Sequence, residues 1–330
     1  MTMMRRFFPC AILGLALHAG GCQPAPPPAV ARPLLVEFEQ RPWDGDRAAG
    51  RELLTDHYRI YTTVTRPEVL QYLPGFLEAA HANYRALTGL GPAPPARRMP
   101  VYMMGSRAEW AALTRSVVGS QWGVYSSIEA GGYCHRGVGV FWDIGGISSM
   151  SIAAHEGLHQ FLYHRLADRL PMWAEEGLAA SAEGYQLDGL TVRFTPGRNP
   201  ARFSDLRRGL VNDWWIPLEK LLAMDAGDAL QGARTERAVV YYGQLWALVH
   251  LLRSDPAYAD GFARLLADAE AGSLHQALRV PADRLKQLRR HGRRYNRTVS
   301  ASLFRHYVTD DLDGFERQYR AFARTLARLG

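Results

Sequence analysis

This sequence predicts a mixed α+β fold, a small sheet-bearing lobe followed by a helical one. Three observations lead there. Short runs that alternate, or are rich in β-branched and aromatic residues, are confined to the first 142 positions. From Ser148 onward apolar residues recur at helical spacing. A composition of 47% hydrophobic and 22% charged residues is that of a chain that buries a core. At roughly 150 residues per lobe, 330 residues suggest about two. Gly and Pro show no period and there are only three Cys, which excludes a collagen-like chain and a disulfide scaffold. No apolar run reaches the roughly 18 residues of a membrane span.

The chain opens with MTMMRRFFPCAILGLALHAGG, residues 1–21, with Arg5 and Arg6 ahead of an apolar stretch and then small residues. That order is a secretory signal peptide. AGG followed by Cys22 resembles the bacterial lipobox, whose Cys becomes lipidated, although Ala19 and His18 depart from the usual apolar pattern. Residues 22–33, CQPAPPPAVARP, then read as the lipidated Cys and a Pro-rich tether. Gln23 resembles the outer-membrane sorting pattern of Gram-negative lipoproteins, so the expected location is the cell envelope, anchored in the outer membrane and facing the periplasm. With Cys10 removed and Cys22 acylated, Cys134 is the only thiol left and no intrachain disulfide is possible.

The first lobe spans 34–147. HYRIYTTV (57–64) alternates as a strand does, and VLQYLPGFLEAAHANYRALTG (69–89) has helical spacing and ends at a Gly cap. VYMM (101–104) is a short strand, and the helix after it starts at Ser106 with Glu109 three residues on, a capping box. GVYSSIEAGGYCHRGVGVFWD (123–143) reads as a hairpin around Gly131 and Gly132. In 148–255, SSMSIAAHEGLHQFLYHRLAD carries serine caps and apolar or ring-bearing positions at 152, 155, 159, 162 and 166, one buried face. Pro171 opens the next helix, a Gly- and Pro-bearing loop follows around 188–200, and VVYYGQLWALVHLL (239–252) is a further helix. Residues 256–330 form an Arg-rich helical extension.

The chemistry sits on the first of those helices. His155, Glu156, Gly157, Leu158 and His159 spell H-E-x-x-H. Residues four apart lie one turn apart on one face, so both imidazoles reach one ion, while Glu156 points about 100° round, towards a water bound to it. Zinc suits neutral imidazoles and keeps an open position for water. The motif arises by chance in a chain of this composition with a probability of about 2%. Two unpartnered imidazoles on an apolar face would also be costly to bury.

A third protein ligand is needed. Leu162 and Arg165 stand where a metzincin would have Gly and His, which excludes that class. Trp173, Glu176, Gly177 and Glu183 resemble the W-x-x-E-G signature of the gluzincin metallopeptidases, the thermolysin-like and aminopeptidase-like clan. HEGLHQ, LPMWAEEGLA and YYGQLWALVHLL further resemble a bacterial lipoprotein family of uncertain function, over roughly residues 50–255. The resemblance implies a gluzincin-like fold with a Zn2+ cofactor held by His155, His159 and Glu176. It makes Glu183, two turns further along the same helix face, a residue that orients a ligand. Glu175, one step round the helix, is expected to be a solvated acid.

The resemblance also implies a function: a membrane-anchored zinc metallopeptidase hydrolysing peptide bonds, with Glu156 as general base and a peptide or protein as substrate. Gluzincins commonly add a Tyr or His donor to the oxyanion from a later helix. Tyr242, which shares a face with Trp246 and Val249, takes that role here, and Tyr241, among aliphatics, belongs to the core. GVGVF (137–141), read as an edge strand, could pair with an extended substrate or be an ordinary hairpin strand. The alternative is a catalytically silent envelope lipoprotein that binds a partner or peptide; an intact Glu156 argues against it.

Charge adds little. The formal +7 comes almost wholly from Arg, Lys220 and Lys286 being the only lysines. RLKQLRRHGRR (284–294) reads as a solvated face with anionic lipid as its alternative partner. Nucleic acid is not an expected partner outside the cytoplasm, His164 is expected at the surface, and the sequence names no oligomeric state.

Overall fold

Alternation in 57–64 and in 99–104 places two neighbouring strands at the centre of a mixed sheet. A computed structural model describes residues 29–44, 49–92, 97–128, 131–230, 235–278, 280–289 and 292–329. The expected signal peptide, Cys22 and most of the expected tether lie outside the described residues. The strands are β1 (Val30–Pro33), β2 (Glu39–Asp44), β3 (Ala49–Leu54), β4 (Tyr58–Thr62), β5 (Met99–Met104), β6 (Gly132–His135), β7 (Val138–Trp142), β8 (Tyr185–Asp188) and β9 (Thr191–Phe194). The larger sheet has the order β2-β3-β4-β5-β7-β6, with β4, β5 and β7 parallel and the rest antiparallel. Its period-two pattern divides two cores. Ile60, Val101, Met103 and Phe141 face the main core, and Val140, Trp142 and Met104 face a smaller one around Trp110.

Helix α1 (Pro67–Thr88) makes the β4-to-β5 crossover, and Gly89 ends it in the left-handed conformation. Helices α2 (Arg107–Val118) and α3 (Trp122–Tyr125) follow β5. The Ser106 cap forms as expected, its side chain accepting from the Glu109 N–H. The helical lobe contains α4 (Gly146–Arg165), α5 (Met172–Ala182), α6 (Pro200–Val211), α7 (Leu218–Ala223), α8 (Ala226–Leu230) and α9 (Thr235–Ser254). Helices α10 (Pro256–Ala271), α11 (Ala282–Arg289), α12 (Gly292–Tyr307) and α13 (Leu312–Leu329) form the C-terminal extension. Among the described residues no helix is long and apolar enough to cross a membrane.

Several expectations need correction. Residues 30–33 of the expected tether form β1, which pairs with β9, a strand inside the expected 188–200 loop, in a three-stranded sheet completed by β8. The 123–143 hairpin turns at Arg136 and Gly137, not at Gly131 and Gly132. Both turn residues have positive φ, 49° and 76°, as a two-residue turn with the twist of the flanking strands requires. VYSSIE is therefore not its first strand; that strand is β6. GVGVF lies inside the sheet between β5 and β6, so the edge belongs to β6. Helix α4 begins at Gly146 without a serine cap. Its buried face is Ala153, Ala154, Leu158 and Phe161; positions 152, 155 and 159 are half-buried, because they line a cleft. Pro171 is the residue just before α5 rather than its first. The C-terminal extension is no appendage, since Tyr295, Val299, Phe304, Phe315 and Tyr319 join the main core.

One core group titrates. His81 on α1 is buried, stacks on His57 at 3.8 Å and meets Phe161 edge-on at 5.5 Å. Burial first, then the nearby His57, pushes its pKa down to about 4, against the smaller pull of Glu78. Between that value and the ordinary 6.5 the unfolded chain holds the extra proton, so stability falls as pH falls through this window. The loss should approach about 3 kcal/mol. His57, which Glu78 holds above its ordinary value, is already charged in both states there and does not cancel it. Denaturant titrations at pH 7 and pH 4.5 should show a smaller acid loss for His81→Phe than for the native chain. Equal losses would remove His81 as the cause.

Candidate metal centre

Helix spacing puts His155 and His159 one turn apart on α4, and their rings stand 5.1 Å apart. Helix α5 packs against α4 and brings Glu176 opposite them. Close approach explains the glycines in both motifs. A Cβ on Gly157 would lie 2.4 Å from the Tyr84 hydroxyl of α1, and one on Gly177 2.4 Å from Val249 of α9. Both helices are thereby seated against neighbours that fix their rotation.

The atoms of His155, His159 and Glu176 that could hold a metal ion lie within 4.8 Å of one another. Glu176 Oε2 is 3.4 Å from His155 Nε2 and 3.7 Å from His159 Nε2. Those separations are long for charge-assisted hydrogen bonds, normally about 2.7–2.9 Å. They lie in or just beyond the roughly 3.3–3.6 Å between two ligands of one tetrahedral ion with bonds of about 2.0–2.2 Å. Oε2 is buried and has no hydrogen-bond partner among the described residues. A buried carboxylate oxygen left so is costly, and a cation between the three groups would satisfy it. The donor set therefore fits a metal ion.

The other nitrogen of each ring is already engaged. His155 Nδ1 stands 2.7 Å from Glu183 Oε1, and His159 Nδ1 stands 2.9 Å from Glu175 Oε1. A carboxylate only accepts, so Nδ1 is the donor in each case and Nε2 is left to face Glu176. Glu183 sits at the C-cap of α5, beyond the last helical residue, and is itself clamped. Arg202 donates to both its oxygens, at 2.7 and 2.9 Å, and Asn199 to one, at 3.2 Å. Glu175 is not the solvated acid expected from its place on the helix. Two helices in contact share more than a single line of residues, so a side chain one step round still reaches the neighbouring turn of α4.

Burial opposes charge on both histidines, but the surrounding carboxylates win. Glu176 and Glu183 hold His155 up at about 9, and Glu176 and Glu175 hold His159 well above its ordinary value. In return, although burial alone would raise it, Glu176 is driven well below the usual carboxylate range by the two histidines. The pocket thus favours positive charge at its centre.

Glu156 lies beside this cluster rather than within it. Its Oε2 accepts the Cys134 backbone N–H at 3.0 Å, so the edge strand β6 holds the carboxylate. Burial raises its pKa, more than the two histidines lower it. The Cys134 thiol is pushed up to about 12 by burial, which keeps it protonated. His135 Nδ1 contacts the Tyr125 hydroxyl at 3.1 Å, and His164, exposed, contacts the Gly137 carbonyl at 3.0 Å.

On α9 the two tyrosines separate. Tyr241 is fully buried, and its hydroxyl has no partner among the described residues. Tyr242 is half-buried and faces the cleft, its ring 5.9 Å from that of His155 and under the Arg202 guanidinium at 5.2 Å. Trp246 and Val249 are buried, so only the first residue of that helical face reaches the cleft. The cleft, about 700 Å3, runs over Cys134, Glu156, His159, Glu175 and Tyr242. A second cavity of about 430 Å3 adjoins it and shares His155, Glu156 and Tyr242.

Sequence reasoning missed three partners: Glu175, the Arg202 and Asn199 clamp, and the Cys134 N–H. For Glu175 a signal existed. Two ligand histidines each need an Nδ1 acceptor, and Glu183 alone could serve only one. No family model, curated protein or solved structure matches this chain, so a reading of the site rests on its own chemistry.

Proposed function

We propose that this chain is a zinc-dependent peptidase of gluzincin type. The observation that carries the reading is the convergence of His155 Nε2, His159 Nε2 and the unpartnered Glu176 Oε2 at ligand-to-ligand distances. Two imidazoles and one carboxylate are a zinc donor set that leaves a coordination position open. When bound, zinc supplies a Lewis acid for a carbonyl oxygen and lowers the pKa of water towards about 7.

The protein's own residues do the rest. Glu156, steadied by the Cys134 N–H, takes a proton from the attacking water and hands it to the departing amine. Glu175 and Glu183 hold the two imidazoles in one tautomer. Tyr242 offers a phenol to the carbonyl oxygen as charge grows on it. A donor of this kind acts mainly in the transition state, so Tyr242→Phe should lower kcat by about 10-fold or more and leave metal content unchanged. A kcat within about twofold of the native value would end that assignment.

The envelope location belongs to the same proposal. Lipidation at Cys22 would anchor the domain in the outer membrane, since several acyl chains, at about 0.8 kcal/mol per methylene, hold a soluble domain firmly. Cell fractionation should find Cys22→Ser released from the membranes; continued attachment would point to another anchor.

The experiment that tests the hydrolase reading is a peptide-library digest with the zinc-loaded protein, with and without a chelator. Chelator-sensitive cleavage is expected. A protein that carries one zinc and cuts nothing in a broad library would favour the silent binding protein.

A further inference from the structure

Two charges beside the candidate centre stand where their own helices disfavour them. Glu183 is the C-cap of α5, at the negative end of that helix's dipole, and Arg202 lies in the first turn of α6, at the positive end. The helices bring no compensation of their own, since the last turn of α5 has no base and the first turn of α6 no acid. Both side chains are nonetheless largely buried, at 10% and 18% exposure. A buried pair that local preference opposes points to a role outside its own helices.

The contacts around Arg202 close into a ring. Its Nε and Nη2 donate to the two oxygens of Glu183, at 2.9 and 2.7 Å, the paired geometry that a guanidinium offers and an ammonium does not. Glu183 Oε1 accepts from His155 Nδ1 at 2.7 Å. The His155 ring meets the Tyr242 ring edge-on at 5.9 Å, and the centre of the Tyr242 ring lies 5.2 Å from the guanidinium carbon of Arg202. All four side chains line the second cavity. Asp205 Oδ2 takes a further N–H of Arg202 at 2.8 Å, so the guanidinium is also held from its own helix.

This ring is distinct from the joint between the two helices. Asn199, the N-cap of α6, donates to the Ala180 carbonyl of α5 at 3.0 Å and accepts the Arg202 backbone N–H at 3.3 Å. A contact that does not use the guanidinium therefore also ties α6 to α5. What the guanidinium adds is direction. Burial alone would raise the pKa of Glu183, but Arg202 first and His155 next hold it well below the usual carboxylate range, and the paired bonds fix the plane of its carboxylate.

From this geometry we infer that Arg202 is a positioning residue of the centre. Through Glu183 it sets the turn of the His155 ring, and through its charge over the ring it sets Tyr242, so one side chain places a metal ligand and the oxyanion donor relative to each other. The inference rests on the zinc-peptidase reading and deepens it.

Zinc affinity, measured by chelator competition on the full-length protein in detergent, tests the first half without turnover. Arg202→Met should weaken zinc by about 10-fold, the lower end of what partners of metal ligands contribute. In a Glu183→Ala background the same substitution should cost less than about twofold, because the carboxylate through which Arg202 acts is gone. A general loosening of the fold would weaken zinc alike in both backgrounds, and that result overturns the inference. So does an Arg202→Met protein that holds zinc as tightly as the native chain. Should Arg202→Met not fold, Arg202→Lys takes its place in the cycle. It keeps the charge and loses the paired bonds, so a loss of about threefold is expected, and only where Glu183 is present; no loss, or an equal loss without Glu183, overturns the inference.

The second half is read from kcat at saturating zinc. Arg202→Met should lower it by about fivefold in the native chain and by less than about twofold in a Tyr242→Phe background, where no phenol is left to place. Equal losses in the two backgrounds would overturn the placing of Tyr242 by Arg202. A native chain that takes up no zinc would sink the metal reading and the inference with it.

Discussion

Glu156→Gln is expected to keep its zinc and lose peptide hydrolysis by about 10²- to 10⁴-fold, the range typical of a proton-transfer group. The substitution is nearly isosteric. An amide oxygen can still accept the Cys134 N–H that holds the native carboxylate at 3.0 Å, so the strand and the helix keep their positions. The three proposed ligands keep theirs too, because Glu156 lies outside the set His155, His159 and Glu176. What disappears is the carboxylate proposed to take a proton from water and return it to the amine. Metal analysis and turnover measured on the same preparation decide the matter. A Gln variant that retains zinc and more than about a tenth of native kcat would strip Glu156 of the role.

Replacing Glu176 by Ala should have the larger effect on the metal. Native protein is expected to carry one zinc and the variant less than about a tenth of an equivalent after dialysis. Outer partners of ligands are typically worth 10- to 100-fold in metal affinity, so Glu175→Gln and Glu183→Gln should each weaken zinc by about that much and Glu176→Ala by more. The order matters as much as the size. Glu183 is held by Arg202 and Asn199 as well as by His155, so its loss also leaves a buried cation without its main partner. Thermal unfolding in chelator should accordingly fall further for Glu183→Gln than for Glu175→Gln. Full zinc occupancy in Glu176→Ala would show that the third ligand is another group.

What was legible in the sequence follows from what is local. A four-residue spacing on a helix fixes which side chains meet, so the placing of His155 and His159 on one face could be read directly. The α+β order was equally readable, since strand and helix periods differ. Contacts between helices are another matter. Nothing in WAEEGLA itself says how far α5 turns against α4; only the need of each imidazole for an Nδ1 acceptor points to Glu175. The unforeseen strands share a different cause. In EQRPWD all but one side chain is exposed, and VARP borrows its hydrogen bonds from β9, so neither shows the alternation that a half-buried strand displays. The hairpin turn was misplaced because a left-handed Arg136 leaves no mark in composition, whereas a Gly pair nearby does.

The first turn of the glutamate-bearing helix is held from far along the chain. The Met172 N–H donates to Asn296 Oδ1, and the Asn296 amide in turn donates to the carbonyls of Leu222 and Met224. Tyr295 secures the Arg169 carbonyl beside it. A ribosome has therefore finished Met172, where that helix begins, 124 residues before it supplies Asn296, which holds it. Contacts so remote are made late, because the intervening loop must close first. The motif-bearing segment is therefore synthesised well before the side chain that holds the first turn of its second helix. A gene shortened after residue 255 would encode His155, His159 and Glu176 but not the Asn296 and Tyr295 contacts that hold the start of α5.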